Sequence, residues 1–533
     1  MLSLSFAIFG LGACGTPADT GPVPVGDDTA APDDSGAPAP VVCDPVTLSM
    51  TDEWLAEVLP TYRDKSHTPA GVAVGDLDGD GWPDALFAYG GGAIALRNDG
   101  AGRLVLAPEW TIDGGQMPDA SAVALVDLDG DGDLDAFFGR DTDSSDSILV
   151  NDGTGRFTTR QVLPNSGGAP STGSFADFDG DGDLDLFVAT TTTNTVGSEV
   201  LDGTASGDGC RLYLQGDDGQ FADATANLPQ DVLYGWTFQG SPIDADGDGD
   251  LDIYMANDFG AWLGPNRLLL NDGGAIFTVA EDCGCELEMF GMGAAVGDIN
   301  GDALPDLYIT DIGGPNLLVN AGDGSFYDAT LAMGVAIPID ESLTSWGTTF
   351  VDINQDSYND LAVTYGQLGQ SEVVDELESG EDWVDFDEQP DVLVVSDGRG
   401  GYTRPDTGWN DPSRSRAVSV GDLNRDGRPD LVTAGKYFLR SWITSGGCEP
   451  GLQVTLTGRA GNRTGIGTRI TVEWEGHRQT QWMLPSTTGS SNAPELFFGL
   501  GGATKADRIT VTWPDGTVQE STDVPSGPVE FAL

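Results

Sequence analysis

One nine-residue pattern decides most of what this chain can become. Asp-x-Asp/Asn-x-Asp-x-x-x-Asp occurs seven times, beginning at Asp76, Asp127, Asp177, Asp244, Asp298, Asp352 and Asp422, with starts 50 to 70 residues apart. A period of that size marks a repeat architecture, in which each copy is one supersecondary unit that buries its apolar face against its neighbours. Oxygens at alternate positions of a tight, glycine-assisted loop converge on one point, as a hard cation with six or seven oxygen ligands requires. Calcium is the expected occupant, with up to seven ions per chain; magnesium, smaller and largely hydrated, fits less well.

In this reading the side chains at positions 1, 3, 5 and 9 and the carbonyl at position 7 are ligands, with water completing the shell. The first loop offers Asp76, Asp78, Asp80 and Asp84 with the carbonyl of Trp82, and the second Asp127, Asp129, Asp131 and Asp135 with that of Asp133. The third offers Asp177, Asp179, Asp181, Asp185 and the Asp183 carbonyl, and the fourth Asp244, Asp246, Asp248, Asp252 and the Asp250 carbonyl. The last three loops carry asparagine at position 3: Asp298, Asn300, Asp302, Asp306 with Leu304; Asp352, Asn354, Asp356, Asp360 with Tyr358; Asp422, Asn424, Asp426, Asp430 with Arg428. Asparagine keeps an oxygen and loses a charge, and Ala303 and Ser357 replace a loop glycine, so these three sites are expected to bind more weakly. No loop has the bidentate Glu at position 12 of an EF-hand, and each runs into a β-type segment instead of a helix.

The chain has 86 acidic and 23 basic residues, a formal net charge of -63. Such a field repels nucleic-acid phosphates and anionic membranes, which excludes nucleic acid as a partner. Acids scattered as a solvating coat would not fall into register seven times.

Around the loops, short strands recur. Gly-Ser-Phe-Ala precedes Asp177 and Leu186–Ala189 follows it; Ile148–Asn151, Leu268–Asn271 and Leu317–Asn320 read as third strands ending in turn signals; Phe157, Phe221, Phe277, Phe326 and Tyr402 each open a fourth. Four strands per repeat, the first made of small residues that can crowd an axis, is one propeller blade. The segment from Leu48 to Asp52 echoes the outer strands of other repeats and is expected to complete the last blade, closing the ring and leaving no free sheet edge.

These residues resemble the FG-GAP or VCBS-type repeats shared with the integrin α-subunit propeller. The resemblance implies an all-β, seven-bladed propeller over residues 46–448, a calcium loop between the first two strands of each blade, and a role in adhesion or ligand binding. From Gly451 the loops stop and alternating strands take over, at Leu452–Leu456, Arg469–Trp474, Gln479–Leu484, Leu496–Phe498 and Arg508–Trp513. The runs Gly461–Gly467, Phe498–Gly501 and Val511–Gly516 look like the ASPIC/UnbV domain of the cartilage acidic protein-like family, assigned here to residues 449–533. Gly489–Asn492 departs from that family's longer Gly-Ser-rich form.

At the other end, Leu11-Gly12-Ala13-Cys14 has the form of a lipobox, so residues 1–14 read as a lipoprotein signal peptide with Cys14 as the lipidated residue. Residues 15–45, rich in Asp, Pro, Ala and Thr, read as a disordered tether. The localisation implied is an exported lipoprotein of the bacterial outer membrane or cell surface, touching membrane only through its lipid. Of the six cysteines, Cys43 and Cys448 flank the ring and would make an attractive clasp.

The functional expectation is an adhesion or ligand-binding module for an extracellular protein or carbohydrate, without catalytic residues. Calcium is expected to rigidify the blades, leaving binding to loops on one face. The segments Thr190–Gly209 and Ser371–Gln389, the second with nine acids and no base, read as solvated insertions. The alternative is a propeller-fold enzyme acting on polysaccharide, which would need a pocket holding perturbed carboxylates outside the loops. His67 and His477 read as surface residues, His477 in a turn, and the tryptophans as mostly blade core.

Overall fold

The computed structural model describes residues 41, 43–55, 70–89, 92–107, 109–112, 115, 120–140, 145–192, 205–337, 343–366, 389–399, 401–409, 412–435 and 438–533. Cys14, the tether up to residue 40, His67, residues 193–204 and nearly all of the acidic insertion lie outside them.

Small residues and alternating apolar runs become seven antiparallel units of four strands, each joined between its first and second strands by one Asp loop. The first unit is Gly71–Gly75, Asp84–Tyr89, Gly92–Asn98 and Leu104–Leu106, and the second Ala120–Val126, Asp135–Arg140, Ser147–Asn151 and Phe157–Val162. The first strands of the remaining units are Pro170–Ala176, Trp236–Ile243, Ala294–Gly297, Ser345–Val351 and Ser415–Gly421. Each first strand packs on the next, and the seventh packs on the first, which makes the architecture propeller-like. Cores lie between neighbouring sheets: one joins Val72, Phe87 and Leu96 of the first unit to Val432, Ala434 and Leu439 of the seventh.

The seventh sheet is completed from the other end of the chain. Asp44–Leu55 pairs antiparallel with Phe438–Gly447, bringing Leu48 opposite Thr444, and a disulfide joins Cys43 to Cys448. The ring closure and clasp read from the sequence are thus both present. A second disulfide links Cys283 and Cys285, and Cys210 is a buried free thiol.

After the ring come two small sheets. One orders Glu495–Phe498, Leu452–Thr457 and Gly527–Ala532; the other orders His477–Trp482, Arg469–Trp474, Lys505–Thr512 and Val518–Pro525. Their shared core contains Val454, Ile470, Val472, Phe498 and Trp513. His477 does not sit in a turn, as expected, but opens a strand and stacks on Trp474, ring centroids 5.5 Å apart.

A hairpin from this domain enters the axis of the ring. Its strands, Ser486–Thr487 and Ser490–Ser491, join the first unit's sheet, with Ser491 opposite Ala73 in parallel register. Innermost strands have backbone groups facing an axis with no further strand to pair them, and buried groups of that kind need partners. The hairpin supplies them: Val72 N–H donates to Ser490 Oγ at 2.8 Å, Leu125 N–H to Ser491 Oγ at 3.1 Å, and Val420 N–H to Asn492 Oδ1 at 2.9 Å. Thr488 donates to Gln239 Oε1 at 2.8 Å, Thr487 to the Val418 carbonyl at 3.0 Å, and Asn492 Nδ2 to Thr349 Oγ1 at 3.3 Å. The approach is close: a Cβ on Gly71 would lie 2.0 Å from the Gly489 carbonyl oxygen.

Candidate metal centres

Every Asp loop is held by the same hydrogen bonds. The position 1 carboxylate accepts from the amides of later loop residues, as Asp76 does from Gly79 at 2.9 Å and Gly81 at 2.8 Å. Position 3 accepts from the position 5 amide and position 5 from the position 7 amide, as Asp80 does from Trp82 at 2.9 Å. Turning the chain this tightly requires a left-handed residue at position 6. Gly81 has φ 88°, and Ala303 and Ser357 hold the same conformation at φ 70° and 90° despite their side chains.

The position 9 aspartate does more than the pattern suggested. It is completely buried in all seven loops, and each of its oxygens accepts at least one amide. Asp84 Oδ2 accepts from Leu77 N–H at 2.9 Å and Oδ1 from Asn98 N–H at 2.7 Å, tying the loop to the third strand. The same pair recurs down to Asp430, which accepts from Leu423 and Thr444. With no cation in place, burial raises these carboxyls: Asp84, Asp135, Asp185 and Asp252 to about 8 and Asp306 to about 7, with Asp360 and Asp430 also well above the usual range. Burial likewise lifts Asp177, Asp298 and Asp422 at position 1 to about 6.

In the first three loops, positions 1, 3 and 9 converge. One oxygen each from Asp76, Asp78 and Asp84, from Asp127, Asp129 and Asp135, and from Asp177, Asp179 and Asp185 lie within 4.8 Å of one another. In the fourth loop the convergent set is Asp244, Asp246 and Asp248. The position 5 residues Asp80, Asp131 and Asp181, and Asp252 in the fourth loop, stand outside those groups. In the last three loops the asparagine leaves two carboxylates among positions 1, 3 and 9. Its amide donates to the position 5 acid instead, as Asn300 to Asp302 at 2.9 Å, Asn354 to Asp356 at 3.0 Å and Asn424 to Asp426 at 3.1 Å. The donor set, all oxygen and mostly carboxylate, fits a hard divalent cation.

Sequence reasoning missed the asparagine that ends the third strand, which it took for a turn signal. Asn98, Asn151, Asn271 and Asn320 reach across to the preceding unit's loop, donating to the carbonyls of Leu423, Leu77, Phe178 and Ala245 at 2.7 to 2.9 Å. Their recurrence at one register was the available signal.

The C-terminal domain rests on the loop face of the ring. Arg463 approaches Asp127 at 3.8 Å, Arg478 donates to the Gly301 carbonyl at 2.8 Å, and Glu495 accepts from Asp422 N–H at 2.7 Å while pairing with Arg425 at 3.0 Å. This geometry agrees with what the families match. The FG-GAP-like repeat matches residues 76–138, 127–188, 244–309 and 298–363, and the ASPIC and UnbV domain matches residues 458–528. The chain joins FG-GAP-like repeats to an ASPIC/UnbV domain. A stretch of 129 residues, 22% of this chain, is 31% identical to cartilage acidic protein 1 of Homo sapiens and 32% identical to that of Xenopus tropicalis. The matched region spans about a fifth of those relatives, 19% and 20%. Among solved structures, an Agrocybe aegerita lectin recognising non-reducing terminal N-acetylglucosamine aligns at TM-score 0.38 and 17% identity over 64% of this chain and 83% of its own. The V. cholerae biofilm matrix protein Bap1 aligns at TM-score 0.35 and 12% identity over 91% and 85%.

The tryptophans divide. Trp409 and Trp346 are buried, whereas Trp262 is 45% exposed and packs at 5.9 Å against Phe290, at the end of the fourth and fifth units opposite the Asp loops. Near it Asp258 is raised by burial to about 8 and Asp311 to about 6. A cavity of about 70 Å³ lies elsewhere, between ring and ASPIC/UnbV domain, lined by Asp352, Asn492 and Glu495 among others. The perturbed acids outside the loops and the cavity therefore do not coincide. Among the described residues no helix is long and apolar enough to cross a membrane, which says nothing of strands.

Proposed function

We propose that the chain is a calcium-loaded, seven-bladed propeller that works outside the cytoplasm as an adhesion or ligand-binding module, tethered by a lipid on Cys14. The observation that carries this reading is the convergence of three carboxylate oxygens within 4.8 Å in each of four successive loops, on a donor set suited to calcium. Calcium has a scaffolding task here: it neutralises acids whose ring positions are fixed by buried hydrogen bonds. The repeats and the ASPIC/UnbV domain support an extracellular setting, and cartilage acidic protein 1 is a weak relative. Because the ASPIC/UnbV domain contacts the loop face, the ligand, an extracellular protein or carbohydrate, is assigned to the opposite face, where Trp262 and Tyr234 are exposed.

The test is a metal count with thermal unfolding in calcium, magnesium and excess chelator. Several calcium ions per chain and a calcium-selective gain in stability are expected. An unchanged transition with no bound metal would return the acids to the role of a solvating coat.

A further inference from the structure

The seven loops are alike in sequence and differ in access. At position 5, Asp80, Asp131, Asp181, Asp248, Asp302 and Asp426 are exposed, while Asp356 is 6% exposed. The sixth loop is closed at its side-chain ligand positions: Asp352 and Asp360 are completely buried, Asn354 is 9% exposed, and Gln355 between them is completely buried, while Tyr358 is half-buried.

The ASPIC/UnbV domain closes it. Gly499 N–H donates to Asp352 Oδ2 at 2.9 Å, the oxygen that also accepts from Ser357 N–H at 2.8 Å. The amides of Gly451 and Gly501 donate to the Gln355 side chain and carbonyl at 2.8 and 3.3 Å. A Cβ on Gly499 would lie 2.4 Å from Asp352 Oδ2 and 2.3 Å from the Gln355 carbonyl carbon, so the segment Phe498–Gly501 sits on the loop with no room for a side chain at that glycine. Among the described residues no basic side chain pairs with Asp352, Asp356 or Asp360.

We infer that the C-terminal domain is a lid on the sixth loop: a divalent cation bound there is occluded, and seating of the domain and occupancy of that loop promote each other. Three carboxylates cannot be buried together as charges without a compensating cation, so the ion stabilises the closed lid. The closed lid in turn holds the ion, since coupling between two binding events is reciprocal. The inference rests on the calcium reading above.

The full chain is loaded with radioactive calcium, chased with excess chelator, and the ions retained per chain are followed in time. One ion is expected to leave about tenfold or more slowly than the rest, because its release waits for a sub-global opening. Asp356→Asn should remove that slow ion and spare the fast ones. In hydrogen exchange, calcium should increase protection over residues 498–501 in the original chain and much less in the variant. Ions that bind but all leave in one phase, with protection at 498–501 indifferent to calcium, would overturn the lid and leave the calcium reading standing. No bound calcium at all would overturn both.

Discussion

Ser490→Ala tests the hairpin at the axis with the smallest perturbation available. Ser490 is 1% exposed, and its Oγ accepts the amide of Val72, which is completely buried. The substitution deletes one oxygen, leaves the backbone path of the hairpin intact, and strands one innermost-strand N–H in a place water does not reach. An unpaired buried donor costs about 1–3 kcal/mol. Global unfolding of a large chain built of many units is a poor ruler for that, whereas amide exchange reads it locally. Exchange at Val72 should accelerate about 5- to 150-fold where the opening is local, in a peptide covering residues 71–75, with third-unit peptides unchanged as the internal reference. Ser491→Ala should act in the same way on Leu125, whose amide its Oγ accepts at 3.1 Å. If Val72 keeps its protection in a folded variant, the hairpin does not satisfy the inner strand and its place on the axis is decoration.

Other expectations concern the loops and the joints between units. Asn320→Ala, which removes the bond to the Ala245 carbonyl, should destabilise by about 1–3 kcal/mol and loosen the fourth unit's loop in hydrogen exchange. Ala303→Gly relieves a left-handed alanine and should raise the melting temperature, with a gain of about 1 kcal/mol. For the metal-free protein, the loop carboxyls raised by burial bind protons more tightly folded than unfolded. Their contribution is therefore fully present below the unfolded value near 4 and is lost as pH rises through about 6 to 8. Chelated protein should melt higher at pH 5 than at pH 8, and saturating calcium, which binds the deprotonated form, should reverse that order. Reducing Cys43–Cys448 should leave the strand Asp44–Leu55 without its covalent pin, held by its pairing, by the Leu48 N–H bond to the Thr407 carbonyl and by packing of Val46 and Leu48, and proteolysis there should accelerate.

The repeat unit was legible in the sequence because its signals are local. Loop, flanking strands, the aromatic that opens the fourth strand and even the closing strand near Leu48 follow from spacing and alternation. What escaped were contacts between distant segments. Nothing in Asn98 or Asn320 announces that its amide crosses to another unit, and position 9 looked like one ligand among several although it also fastens the third strand. The strands Val518–Pro525 and Gly527–Ala532 are edge strands of two different sheets, and Phe531 is the one residue of the two that is buried, so they carry little apolar signal. The hairpin at Ser486–Ser491 is polar and short, and a sequence reader has no ground to bury it; only the unpaired inner strands of the assembled ring supply the reason.

The clasp between the ends has a consequence for the order in which the molecule is made. The strand that completes the seventh sheet is synthesised before every other strand of the ring, and the cysteines that pin it are 405 residues apart. Until the last unit exists, that strand is an unmatched edge and the circle has a gap. The serines that fill the centre are synthesised later still, so the axis is sealed only after closure, from the loop side. The ring therefore stays an open arc until its seventh unit has been made, and anything that pairs with a lone strand in that interval competes with Phe438–Gly447.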